Sequence, residues 1–403
     1  MDKVIRQITA NIGTPVYLYR QDIIQRQWDT LQRGKPIGLK IYYAVKGNPN
    51  LSILRFFQRI GAGAEIASGG ELFLALKAGF SPEDIIYTGP GKTDEEMEEA
   101  VLHSIRTIHV ESLHEARRLQ SLCQKHNRKQ SILVRINAIR EVKTQVQFSG
   151  CPSPFGISEE VIKEILPQIL ALPHLEFEGI HVYNASGILE YNLLLENVRN
   201  VFSLVNDLET KMNLRINTID FGGGLGVDYS DQNLQVDVGQ FYTGFSSLIR
   251  EFGFHDRQFI LEIARYLMAE SGYYITRVLD KKDSRGKTFV IVDGGIHHFM
   301  RTALFGVNHP AKILQNLPQV NEEVVQVTGT LCTNIDKILK DISLPKPQIG
   351  DLLIIEKAGC YALSAAINHF LSHEMPPEVL LDNDQWSIIR KRGKHADLLL
   401  NQV

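Results

Sequence analysis

Short apolar and β-branched runs alternate with stretches of helical period through the first two thirds of the chain. The runs Leu39 to Val45, Ala64 to Ile66, Ile85 to Thr88, Thr107 to Val110, Ile132 to Asn137, Phe177 to Tyr183, Ile216 to Phe221 and Phe259 to Ile263 read as strands. Between them, Leu51 to Arg59, Glu71 to Ala78, Asp94 to Leu102, Leu113 to Lys125, Glu159 to Leu172 and Ile188 to Met212 read as amphipathic helices. Eight strands alternating with helices over about 230 residues match a (β/α)8 TIM barrel. It is placed at residues 27–268.

The pattern changes after Gly272. Tyr273 to Leu279, Thr288 to Asp293, Glu323 to Thr328, Leu352 to Glu356, Glu378 to Leu381 and Trp386 to Arg390 are strand-like and lack regular intervening helices. They predict a C-terminal antiparallel β domain. Thr14 to Tyr19 is a further strand ahead of the barrel, so residues 1–26 are assigned with 269–403 to that domain.

Composition narrows the partners. The chain has 403 residues, 44% of them hydrophobic, enough for a large core and about two domains. Its net charge of -3 offers no broad basic face for nucleic acid or an anionic membrane, which favours a small-molecule partner. The four cysteines (Cys123, Cys151, Cys332 and Cys360) form no CxxC pair, so neither a structural zinc site nor a disulfide framework is expected. The segment Met1 to Gln7 has no apolar signal region and no run is long enough to span a bilayer, which makes a cytoplasmic location the expectation.

A TIM barrel carries its chemistry at the carboxyl ends of its strands. Lys46 closes the first apolar run and is followed by Gly47-Asn48-Pro49-Asn50. Desolvation at a strand end lowers an ammonium pKa and frees the amine to attack a carbonyl; the plain alternative is a lysine that snorkels to water. The other strand ends supply Glu65 and Ser68, Gly89, Arg135, His181, Gly222-Gly223-Gly224, and Glu262 with Arg265. Three glycines after a late strand let backbone N–H groups approach an anion, unless they make only a tight turn. They do not form a dinucleotide fingerprint, because Val227 stands where the last glycine would fall. Gly91-Lys92-Thr93 fails as a P-loop, since Ile86 occupies the first glycine position.

Glu262 ends an apolar run, where an unpaired carboxylate is costly, so it should meet a cation. Either a structural arginine or a protonated cofactor ring nitrogen would serve. His369 and His373 lack a third ligand, and no metal site is expected.

These motifs in this order resemble the pyridoxal 5'-phosphate (PLP) dependent decarboxylases of alanine-racemase-like fold, typified by diaminopimelate, ornithine and arginine decarboxylases. The resemblance runs from Thr14 to Leu380, and the family's Y-A-x-K-x-N-x segment appears as Tyr43 to Pro49. It implies PLP as cofactor, Lys46 as its Schiff-base lysine, His181 stacked on the ring, Gly222, Gly223 and Gly224 at the phosphate, and Glu262 at the ring nitrogen. The family's E-P-G-R motif stands as Glu262-Ile263-Ala264-Arg265. Tyr361 matches the tyrosine near the phosphate, Arg135 and Asn184 fall among the cofactor contacts, and Cys332 matches a cysteine supplied by a partner subunit. A homodimer with shared sites is therefore implied.

Several departures bear on the substrate. Asn184 stands where many members have a phosphate-contacting serine. In diaminopimelate decarboxylases a glutamate follows the cysteine, but here the sequence is Cys332-Thr333. Arg301 fits the family's R-P-A-L-Y-G pattern, with Phe305 in place of the tyrosine. Phe370 to His373, ahead of Glu378-Val379-Leu380, resembles the subgroup of secondary-metabolite and exopolysaccharide-associated pathways, some of whose members act on amino acids tethered to an acyl or peptidyl carrier protein. The leading expectation is decarboxylation of an amino acid, free or tethered, with an acidic or neutral distal end contacted by Arg301, Phe305 and Thr333. Diaminopimelate, lysine or ornithine decarboxylation is the alternative. A non-catalytic regulatory homologue is the third reading, opposed by the retention of Lys46, His181, Glu262 and Cys332.

Overall fold

The computed structural model describes residues 1–139, 146–147, 151–230, 232, 234–316 and 321–403. It divides into two compact units, one of Met1–Trp28, Asp228–Asn233 and Leu267–Val403, the other of Asp29–Val227 and Leu234–Tyr266. The first unit receives the chain's opening helix, Asp2–Ile12, and strand β1 (Val16–Arg20).

The second unit is a closed parallel barrel. Its strands are β2 (Leu39–Ala44), β3 (Gly63–Ile66), β4 (Ile85–Tyr87), β5 (Thr107–Val110), β6 (Gln130–Asn137), β7 (Leu175–His181), β8 (Thr218–Asp220) and β9 (Gln258–Ile263). Each pairs in parallel with the next, and β9 returns to β2. The interior is filled rather than hollow, since Tyr42, Ile86, Leu133 and Ile260 pack into one buried cluster. Outside, Phe202 of the helix Tyr191–Met212 and Phe245 of the helix Val238–Phe252 lie 5.9 Å apart and clamp Phe221 and Phe259 against the wall. Each such buried ring contributes about 1.5–3 kcal/mol.

Short polar residues start the helices where the strands deliver the chain. Asn50, Ser68 and Ser112 each accept a backbone N–H of the first turn, and Thr93 with Glu96 forms a capping box. Ser68, expected on the rim, is thus a helix cap. Strand β2 stops at Ala44, and Val45–Gly47 is a tight helical turn, so Lys46 projects from that turn and not from the strand itself.

The first unit is built on a nine-stranded sheet. Beyond β1 it contains β10 (Gly272–Ser284), β11 (Lys287–Val292), β12 (Ala311–Leu314), β13 (Glu322–Thr328), β14 (Lys337–Pro345), β15 (Leu352–Ile355), β16 (Glu378–Asp382) and β17 (Gln385–Arg390). Most ladders are antiparallel, while β1 with β16 and β11 with β13 are parallel. Ile5 and Ile8 of the opening helix pack on Val16, Leu18, Ile275 and Val379. Strands β12 and β14 escape a hydrophobicity reading. Every residue of β12 is half-buried, and in β14 the run is broken by Lys340 and Asp341, the latter at φ 44°.

Candidate active site

At one rim of the barrel Lys46 donates to both oxygens of Glu65, at 2.9 and 2.8 Å, and the Thr88 hydroxyl also bonds Glu65. The Glu65 side chain is fully buried, whereas that of Lys46 is 43% exposed. The Lys46 amine is thus less enclosed by the protein than the strand-end expectation supposes. It is held in place by a charge-assisted pair with a fixed carboxylate.

Beside this pair, four buried polar side chains converge: His109 from β5, His181 from β7, Asp220 from β8 and Glu262 from β9. The Nδ1 atoms of His109 and His181 are 3.3 Å apart. His109 Nε2 lies 3.8 Å from Asp220 Oδ2, and His181 Nε2 lies 3.9 Å from Glu262 Oε2. Burial is the largest cause at each group; nearby cations add to it at both histidines and His109 adds to it at His181, while Glu65 adds to it at Asp220, and Asp220 with Glu65 at Glu262. Both imidazoles are pushed well below their usual pKa, Glu262 well above, and Asp220 up to about 8. The ligand atoms of the four lie within 4.8 Å of one another, a spacing that also suits a metal ion. Two of the four, however, are the groups that the sequence assigns to an organic cofactor.

The glycine loop follows β8. The Gly222 N–H is committed to Asp220 Oδ1 at 2.8 Å, and Gly222 O receives the Glu262 N–H at 2.8 Å. The N–H groups of Gly223 and Gly224 have no acceptor among the described residues. Close approach requires glycine here. A Cβ on Gly223 would stand 2.6 Å from Glu262 O, and one on Gly222, at φ 61°, would stand 2.4 Å from the Tyr183 ring.

Arg135, expected at the cofactor, donates to Glu111 at 2.9 Å, its guanidinium lies 4.7 Å from the Phe155 ring centroid, and its charge acts on all four residues of the buried cluster. Asn184 is buried and donates to Asn197 at 2.6 Å, and its own Oδ1 has no donor among the described residues. Arg265 opens the short helix Arg265–Met268 directly after the Glu262 strand. Lys92 of the rejected P-loop is a buried brace that donates to Gly89 O, His109 O and Glu115.

The remaining expected residues belong to the first unit. Cys332 is exposed on a turn closed by Asp336, whose carboxylate accepts from Ile296 N and Leu331 N, each at 2.8 Å. Thr333 sits in the same turn. Arg301 donates to His309 at 2.9 Å, and its guanidinium lies 4.6 Å from the Tyr229 ring centroid and 5.4 Å from that of Phe305. Tyr361 follows the buried Cys360 with φ 54°.

His109 and Asp220 are the site residues that strand-end reasoning misses. His109 precedes the last residue of a four-residue strand buried at every position, so no alternation marks which side chain faces inward. Asp220 is hidden as the lead-in to a glycine loop whose backbone draws the attention.

The family described as "Pyridoxal-dependent decarboxylase, pyridoxal binding domain" matches residues 21–274. L-glutamyl-[BtrI acyl-carrier protein] decarboxylase of Niallia circulans is 33% identical, covering 99% of this chain and 96% of its own. A 2-[(L-alanin-3-ylcarbamoyl)methyl]-2-hydroxybutanedioate decarboxylase of Staphylococcus aureus is 31% identical, over 94% of this chain and 97% of its own. Among solved structures, diaminopimelate decarboxylase of Helicobacter pylori complexed with L-lysine superimposes with a TM-score of 0.90 at 30% identity, covering 98% of each chain.

PLP needs an amine for its carbonyl, an acid for its ring nitrogen and donors for its phosphate. The rim offers Lys46, a buried Glu262 Oε1 that has no hydrogen-bond partner among the described residues, and the two open N–H groups of Gly223 and Gly224. The residues present fit the cofactor. Among the described residues no helix is long and apolar enough to cross a membrane.

Proposed function

The chain belongs to the pyridoxal-dependent decarboxylases, and from that premise we propose that its substrate is an amino acid with an acidic or neutral distal end, a carrier-tethered glutamyl group foremost. The observation that carries this reading is Thr333. It follows Cys332 where a glutamate would be needed to receive a distal ammonium, and it has no charge to offer. Arg301, a cation braced by His309 and lying near two aromatic rings, suits an acyl oxygen or carboxylate instead. The relative from Niallia circulans, named for a glutamyl group on a carrier protein, supports the same choice.

When bound, PLP supplies an electron sink for the pair left behind as CO2 departs. Lys46 would hold the cofactor through its amine and take it back after turnover, with Glu65 keeping that amine at the rim. Glu262 would face the ring nitrogen, and Gly223 and Gly224 would donate to the phosphate. His181, neutral and buried, would support the ring. Cys332 Sγ, presented by a second copy of the chain, would protonate the substrate's α-carbon. General acid help of this kind contributes about 10²–10⁴-fold.

A second reading, diaminopimelate decarboxylation, is favoured by the structural likeness to the Helicobacter pylori enzyme. CO2 release measured across free and carrier-linked glutamate, neutral amino acids, diaminopimelate, lysine and ornithine separates the two. Preference for diaminopimelate or another basic substrate over every acidic or neutral one overturns the first.

A further inference from the structure

We propose that Tyr183, two residues beyond the end of β7, is the aromatic ring against which the cofactor's pyridine ring packs, and that His181 lies one layer deeper. The proposal rests on the reading that this rim holds PLP.

Strand register sets the levels. His181 pairs with Asp220, and Asp220 pairs with Ile260. Side chains two residues apart on a strand share a face and stand roughly 7 Å apart along it. Two residues toward the rim, Tyr183 therefore stands level with Gly222 and Glu262, and the bond from the Glu262 N–H to Gly222 O shows the same pairing. Those two residues flank the phosphate loop and the ring nitrogen in the proposed reading. His181 belongs to the level below.

The contacts agree with the levels. A Cβ on Gly222 would meet Tyr183 Cδ2, Cγ and Cβ at 2.4, 2.9 and 3.0 Å, and one on Gly223 would stand 3.7 Å from Cε2. The Tyr183 ring thus lies along the loop that presents the open N–H groups. Its phenol hydrogen-bonds the Ser186 side chain and sits in the fields of Lys46, Arg265 and Glu262. A single ring therefore borders the loop, the amine and the acid. His181, by contrast, is committed inside the protein, with Nδ1 3.3 Å from His109 Nδ1 and Nε2 facing Glu262. It is buried, whereas Tyr183 is half-buried. His181 then supports the cofactor through Glu262 and not by its own face.

An aromatic ring on the pyridine face excludes water and fixes the tilt of that ring. Burial keeps the phenol protonated, so the contact adds no charge beside the electron sink. Packing on Gly222 also gives Tyr183 a plain structural role, that of shaping the loop. The two roles predict different ligand dependence.

The apoprotein is titrated with PLP and, separately, with inorganic phosphate, which meets the loop but has no ring. Tyr183→Leu should weaken PLP roughly tenfold while leaving phosphate affinity within about twofold, and should alter the visible circular dichroism of the bound cofactor. Tyr183→Phe keeps the ring and should keep both the PLP affinity and the dichroism. Equal weakening of the two ligands by Tyr183→Leu makes the ring a brace and overturns the proposal, as does unchanged PLP affinity with unchanged dichroism. Wild-type protein that binds no PLP overturns the underlying reading as well. A measurement on the unsubstituted position guards against a leucine variant that does not fold. With fluorotyrosine incorporated, the 19F resonance missing from Tyr183→Phe should shift when PLP is added and stay in place when phosphate is. A resonance that PLP leaves unshifted overturns the proposal.

Discussion

Lys46 donates to both carboxylate oxygens of Glu65, at 2.9 and 2.8 Å, while Glu65 itself is fully buried. The carboxylate cannot follow the amine into solvent, so the amine is anchored at a defined point of the rim. PLP should therefore attach to Lys46 among all the lysines. Borohydride reduction of the holoenzyme followed by peptide mapping should label Lys46, and Lys46→Ala should lose both the label and the lysine-linked absorption band. Labelling at a different lysine would refute the assignment.

The glycine loop gives an independent handle on the phosphate end. Gly223→Ala places a Cβ 2.6 Å from Glu262 O, which pushes the loop away and disturbs the two open N–H groups. Loss of one charge-assisted hydrogen bond costs about 1.5–3 kcal/mol. PLP affinity, measured by fluorescence titration of the apoprotein, should weaken roughly ten- to a hundredfold by the same arithmetic. Unchanged affinity would move the phosphate elsewhere.

Asp220 makes a prediction about pH. Burial raises its folded pKa to about 8, above the 3.8 of an exposed aspartate, so between these values the folded state keeps a proton that the unfolded state has released. Stability contributed by this group is present below pH 4 and falls as pH rises toward 8, with a slope of about 1.4 kcal/mol per pH unit. Asp220→Asn removes that slope. In urea unfolding of the apoprotein, the variant should gain on the wild type steadily from pH 5 to 8. A pH-independent difference would mean that Asp220 is ionised in the folded protein.

The legible part of this site and the hidden part differ for a physical reason. Lys46, Glu262 and the glycines stand at the ends of apolar runs, where Gly, Asn and Pro punctuate the sequence and a polar residue is conspicuous. His109 and Asp220 lie within strands whose neighbours are all buried, and only the closure of the barrel shows that they meet. The barrel itself was readable because its strands are short, apolar and separated by capped helices. Strands β12 and β14 were not, because their half-buried faces carry charge. Lys92 is the converse case, a conspicuous lysine whose segment already fails as a P-loop in the sequence and whose three acceptors are internal.

Shared active sites are tested by mixing. Lys46 lies in the barrel unit and Cys332 in the other, and the family resemblance gives Cys332 to the opposite subunit. Mixed Lys46→Ala and Cys332→Ala chains should recover part of the lost activity, because a hybrid dimer rebuilds one complete site. With subunit exchange demonstrated, failure to recover activity would rule out sharing.

The proposed reading gives Arg301 and Thr333 the selection of the substrate's far end. The Arg301 guanidinium is fixed by His309 and lies near Tyr229 and Phe305, so its loss removes a positioned charge rather than a floating one. Its position also lets it brace its own unit, and activity alone cannot separate these roles. The comparison between substrates can. Arg301→Ala should lower kcat/KM for an acidic or acyl-linked substrate by roughly ten- to a hundredfold, equivalent to about 1.5–3 kcal/mol, and much less for a neutral-tailed analogue. A bracing role would lower both equally. Thr333→Glu adds the carboxylate that a distal ammonium requires and should raise kcat/KM for diaminopimelate or lysine relative to the acidic substrate. If Arg301→Ala depresses all substrates alike and Thr333→Glu leaves their order unchanged, neither residue selects the substrate.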